Sequence, residues 1–210
     1  MQRKILHLVE FFIKWIARFF SIFYGVRFRY LSSHLFRVFI SQLYRKEFNS
    51  FGANSLLGKK MKFRGLEYVN VGKKTSIGDG GVLTCYKVVN DPVLVIGNNV
   101  SIGDDSHITC SNKMIIEDNV LIGKKVTITD NSHGESGELL SCIAPKDRNI
   151  YSKGSVIIRN NVWIGDKASI MPGVVIGKNS IIGANSVVTK DIPENSIAVG
   201  VPARIISINL

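Results

Sequence analysis

Three cysteines in 210 residues, Cys85, Cys110 and Cys142, are few, widely spaced and odd in number. No metal-type spacing joins them, and a reducing compartment is the plain reading. Proline is as scarce, 5 residues against 19 glycines, a balance that suits a globular chain rich in tight turns. No apolar run approaches the ~20 residues that a membrane-spanning helix needs. The longest uncharged run near the N-terminus is only Phe19 to Val26. Glu10, Lys14 and Arg18 interrupt that apolar region and no small-residue cleavage site follows, so no cleavable signal is expected. Acidic residues are outnumbered, 16 against 27 Lys+Arg, and the net charge is +11.

That charge is unevenly placed. Residues 1–50 hold nine Lys/Arg against Glu10 and Glu47, a net +7, and the remainder carries only +4. Within residues 2–24 the polar positions Arg3, His7, Glu10, Lys14, Arg18 and Ser21 recur every three or four residues. They form one helical stripe, and most of the rest is aliphatic or aromatic. Such a helix suits an anionic membrane surface. It suits equally well packing onto the rest of the chain or a neighbouring subunit, where it would cap strand edges. Nucleic acid is a poor partner for so much apolar surface. A second helical piece is expected around residues 31–46, and residues 1–50 read as one basic helical segment.

The rest, 51–210, follows a different period. Ile158, Ile164, Ile170, Ile176, Ile182 and Val188 stand six residues apart, often followed by Gly. Small or β-branched residues (Val162, Ala168, Val174, Ser180, Ser186) come four residues after each. A step of six fits neither a 3.6-residue helix nor a two-residue alternation. It fits a coil that turns a corner every six residues and points one aliphatic side chain inward per side. Three sides close one coil, and coils stack as parallel strands. Upstream the step recurs with slips: Leu57 and Phe63; Val71, Ile77 and Leu83; Ile96, Ile102 and Ile108; Ile116, Ile122 and Ile128. The largest break runs from Asn131 to about Ser155. Function gathers where an insertion leaves a repetitive stack, so loop 131–155 is the candidate active-site loop.

These repeats, the phrase NVWIGDKASIMPGVVIGKNSIIGANSVVTKDIPENSIAVGVPARII, and ITDNSHG before the loop resemble the hexapeptide-repeat O-acetyltransferases. The likeness is to the maltose/galactoside-type and polysaccharide enzymes. It spans residues 51–206 in outline and 116–206 closely. It implies a mainly β fold, a left-handed parallel β-helix, with acetyl-CoA as cosubstrate and no metal. It further implies a homotrimer whose active sites lie between subunits.

By that resemblance His133 is the catalytic histidine, the base that takes the proton of an acceptor hydroxyl. Asp130 either orients the imidazole or simply shapes the turn. Glu135 and Glu138 are weaker candidates, and His107 faces either the acceptor pocket or solvent. For the cofactor, Asp166 and Ala184 match positions lining the pantetheine groove. Thr189, Lys190 and Arg204 match the nucleotide end, where cations pair with phosphate. Trp163 serves subunit packing or contacts CoA or the acceptor. Ser207 stands where relatives often carry another Arg, which weakens the nucleotide contact. Cys142 has no activating neighbour and reads as an ordinary thiol. The acceptor residues of maltose- and galactoside-type enzymes have no counterpart here. The expected reaction is therefore acetylation of a sugar hydroxyl in surface polysaccharide biosynthesis, in the cytoplasm or on the inner face of the membrane. An antibiotic O-acetyltransferase shares this chemistry, and a non-catalytic trimeric scaffold shares the coil. A zinc-dependent β-helix carbonic anhydrase would need three histidines. Beyond the N-terminal segment there are only His107 and His133. Acyl-carrier-protein-dependent relatives carry a C-terminal helical domain, for which no room is expected after Arg204.

Overall fold

Each inward aliphatic of the six-residue step lands on a different wall, and every third one returns to the same wall. In the computed structural model, which describes residues 2–88, 90–134 and 143–208, three parallel sheets form these walls. On the first, Ile96, Ile116, Ile158 and Ile176 lie in register. On the second the column is Ile77, Ile102, Ile122, Ile164 and Ile182. On the third it is Leu83, Ile108, Ile128, Ile170 and Val188. All of these side chains are buried, and together they fill the prism. This is the three-sided coil expected from the period. Burying about fourteen such side chains at roughly 1.5–3 kcal/mol each is the main term holding the coils together.

Close stacking dictates the turn residues. A Cβ on Gly165 would lie 2.6 Å from the Ala184 backbone nitrogen of the next coil, so only glycine fits. The corner between the first and second walls uses asparagine in the left-handed region, at Asn119, Asn161, Asn179 and Asn195. There the side chains also ladder: Asn161 Nδ2 donates to Asn179 Oδ1 at 3.1 Å, and Asn179 Nδ2 to Asn195 Oδ1 at 2.9 Å.

The chain divides into two compact units, Met1–Phe39 and Ile40–Leu210. The first holds helix α1 (Gln2–Phe23) and most of α2 (Val26–Tyr44). The last turn of α2 belongs to the second unit and covers the open end of the first coil. Buried Ser41 accepts the Leu57 backbone N–H at 2.8 Å, and the Tyr44 and Phe63 rings sit 4.9 Å apart. At the other end the strand Ser196–Gly200 joins the second wall and folds back antiparallel onto Ala203–Ile208. Both ends are thus closed against strand addition.

Candidate active site

The slips in the six-residue step share one corner. They follow Phe63, Leu83, Ile108 and Ile128, all on the third wall, and end at Val71, Ile96, Ile116 and Ile158, all on the first. Among the described residues the insertions therefore leave the coil along one edge of the prism. The longest insertion leaves after Thr129 and returns at Val156, and at the other end of that first-wall strand the coils before and after it are tied together. Glu117 pairs with Arg159 Nη1 at 2.6 Å and accepts the Asn160 backbone N–H at 3.0 Å.

Asp130 anchors the departing chain. It is fully buried, and its two oxygens accept the Ser111 and Asn112 backbone N–H groups, both at 2.8 Å. Asn131 Nδ2 donates to the same carboxylate at 2.9 Å. These N–H donors replace the water that the buried carboxylate gives up. Among the described residues no bond joins Asp130 to His133; the carboxylate instead ties the insertion to the turn one coil earlier.

His133 then lies on a two-stranded hairpin, Ser132–His133 against Ile150–Tyr151, with His133 opposite Ile150. Gly134 follows at φ +83°, a backbone conformation open to glycine, and its N–H donates to the Ser132 carbonyl at 3.1 Å. The His133 side chain is exposed. The residues on either side of it, Ser132 and Gly134, line a cleft of about 550 Å³ with Tyr151, Lys153, Met171 and Thr189. A reacting pair of small groups fits such a space; His133 stands between two of its lining residues and is not itself one of them. Tyr151, Lys153 and Met171 escaped the sequence reading. Only Met171-Pro172, a bulky pair where the next coil has Thr189-Lys190, hinted at a lining.

The remaining candidates divide between two edges. Thr189 and Lys190 lie on the same corner as His133. Trp163 lies on the outer face of the second wall, half exposed, between Leu121 and Ile181. Asp166 and Ala184 lie at the corner that follows it, where Asp166 Oδ1 accepts the Lys124 backbone N–H at 2.8 Å. Arg204 projects from the terminal hairpin on that same second wall, and its Nη1 reaches only the Ala203 carbonyl at 3.0 Å. Among the described residues neither Lys190 nor Arg204 has a carboxylate partner, which leaves both open to a phosphate. A single subunit therefore does not gather the expected cofactor residues around His133. His107 opens its third-wall strand, at the far end from the His133 corner, in register with Thr127. Glu135, Glu138 and Cys142 lie outside the described residues. No group of three or more metal-ligating side chains occurs among the described residues.

Two buried free thiols, Cys85 and Cys110, face each other in register beside this corner. The Cys110 thiol is pushed far up by its hydrogen bond with Cys85, then by burial and the Asp130 charge. It stays neutral and unreactive when folded. In the unfolded chain it ionises near the ordinary thiol value of about 8.5. Its contribution to stability is complete below that value and is lost as pH rises beyond it, because only the unfolded state releases the proton. The limiting slope is about 1.4 kcal/mol per pH unit. Urea midpoints between neutral and strongly alkaline pH should fall more steeply for the wild type than for Cys110→Ala; parallel curves would count against the account.

The sequence and fold have known counterparts. Residues 155–190 match the bacterial transferase hexapeptide family (six repeats). The chain is 36% identical over 141 residues to the putative lipopolysaccharide biosynthesis O-acetyl transferase WbbJ of Escherichia coli K12, covering 66% of this chain and 70% of that one. It is 47% identical over 108 residues to the galactoside O-acetyltransferase of the same organism, covering 51% of this chain and 47% of that enzyme. It therefore spans about half the length of the galactoside enzyme. Among solved structures, a point mutant of AntD, an N-acyltransferase from Bacillus cereus in complex with dTDP-4-amino-4,6-dideoxyglucose and coenzyme A, superposes with a TM-score of 0.64. That match has 24% identity and covers 80% of this chain and 88% of AntD. With these neighbours the three-walled coil is the left-handed parallel β-helix.

Proposed function

Because the chain belongs to the hexapeptide-repeat acyltransferase family and is an enzyme of that kind, we propose that it moves an acetyl group from acetyl-CoA to a sugar hydroxyl. The observation that carries this reading is the exposed His133, held by a short hairpin beside a cleft that also takes in Thr189. In the proposed reaction His133 removes the hydroxyl proton as that oxygen attacks the thioester carbonyl. The C–S bond breaks, and the imidazolium returns the proton to the departing thiolate. The attack is direct and leaves no acetyl group on the protein.

Acetyl-CoA fits the exposed candidates chemically. Ala184 presents no bulk at its corner, and Lys190 and Arg204 offer cations to phosphate. The acetyltransferase names of the relatives support the choice. The acceptor is proposed to be a surface-polysaccharide precursor handled in the cytoplasm, a reading supported by the lipopolysaccharide name of the WbbJ relative.

The division of candidate residues between two edges supports a site built from two subunits. In a closed three-fold ring one subunit brings His133 and Thr189 to the second-wall face of the next, which carries Trp163, Asp166, Ala184 and Arg204. Subunit mixing tests this. His133→Ala and Ala184→Trp homo-oligomers should each release little CoA in the presence of a sugar acceptor. Refolding them together should restore roughly a quarter of wild-type turnover, the share of randomly paired interfaces with both residues intact. Mixed oligomers without recovery would refute the shared site, and an inert wild type with sugar acceptors would refute the reaction.

A further inference from the structure

The helical unit is left unexplained by acetyl transfer. α1 and α2 expose almost every large apolar side chain they carry. On α1, Phe11 is 66% exposed and Trp15 61%, and Leu8, Ile13 and Phe20 are also exposed; on α2, Tyr30 is 79% exposed. Soluble surfaces do not normally carry so continuous an apolar patch without a partner.

The charge on the same unit says which partner. Arg3, Lys14 and Arg18 lie along the polar stripe of α1, where the one acid, Glu10, already has Lys14 at 3.9 Å. α2 carries Arg27, Arg29 and Arg37 and no acidic residue. The remaining chain is itself basic at +4, so a second copy of this protein offers no net complementary charge. Among the described residues no helix is long and apolar enough to cross a bilayer. A cationic stripe beside a wide apolar face rich in Phe, Tyr and Trp matches the headgroup boundary of an anionic membrane, where aromatic rings settle and each cation gains from the surface potential.

We infer that α1 and α2 dock on an anionic lipid bilayer, lying in its surface with Trp15 in the headgroup region and the Lys/Arg stripe toward anionic headgroups. This interaction is independent of the acetyl-transfer reading.

The full chain in a Trp163→Phe background has Trp15 as its only tryptophan, so its fluorescence reports on α1 alone. It should sediment with vesicles of phosphatidylcholine containing phosphatidylglycerol, and Trp15 emission should shift to the blue. Pure phosphatidylcholine vesicles should bind at least about tenfold more weakly, as should the mixed vesicles at high salt. Lys14→Glu with Arg18→Glu reverses two exposed charges and should lower binding to the anionic vesicles on the order of a hundredfold. Far-ultraviolet circular dichroism establishes that the variant keeps its helices. Equal binding to neutral and anionic vesicles, or none to either, would overturn the inference. So would a blue shift that grows with protein concentration in the absence of lipid, which would make a second copy the occupant.

Discussion

Replacing His133 by alanine should lower kcat for acetyl transfer by about 10²–10⁴-fold, the range that a positioned general base contributes. An alcohol is a weak nucleophile at neutral pH, and no other exposed imidazole lines the His133 corner among the described residues. Binding of acetyl-CoA should change little, because the contacts proposed for it come from Ala184, Thr189, Lys190 and Arg204. Steady-state kinetics with a sugar acceptor would separate the two parameters. Turnover within a few-fold of wild type would remove His133 from the chemistry. A rise in KM with kcat unchanged would make it a binding residue instead.

The second large effect is expected at Asp130. Its carboxylate is fully buried and accepts two backbone N–H groups and the Asn131 amide. Asp130→Ala strands those donors in the interior, at a cost of about 1–3 kcal/mol for each unsatisfied group. The total should be several kcal/mol, read as a lower urea midpoint. Asp130→Asn keeps the shape but turns one acceptor into a donor facing an N–H, so a smaller loss is expected. Kinetics distinguishes the two roles open to this residue. If Asp130 acts through the backbone it positions, kcat falls while the midpoint of the pH–rate profile stays in place. If it bonded the imidazole directly, removing its charge would lower the histidine's apparent pKa and move that midpoint toward acid. The bonds seen around Asp130 favour the first outcome.

Much of this protein was legible before any coordinates. A six-residue repeat is a local signal: each aliphatic at its place, from Ile158 to Val188, reports the length of one wall, and three walls close a coil. Even the common corner of the insertions was latent in the spacing, since each slip follows a third-wall residue. His133 stood out because the ITDNSHG phrase resembles the family's motif and lies at the start of the longest break. The amphipathic character of residues 2–24 was equally plain, because helical spacing needs no partner to be recognised.

Tertiary structure decided what depends on atoms distant in the chain. Asp130 and His133 look like a pair at three residues' separation, yet the partners of Asp130 are Ser111 and Asn112, nearly one coil earlier. Tyr151 and Lys153 reach the cleft because the chain folds back antiparallel from Ile150, a pairing that no periodicity announces. Ala184 stands only five residues before Thr189 but lies away from its corner, because each six-residue step also turns the chain onto a new wall. Repeat length determined the coil; the rotation accumulated between repeats determined which residues could share a site.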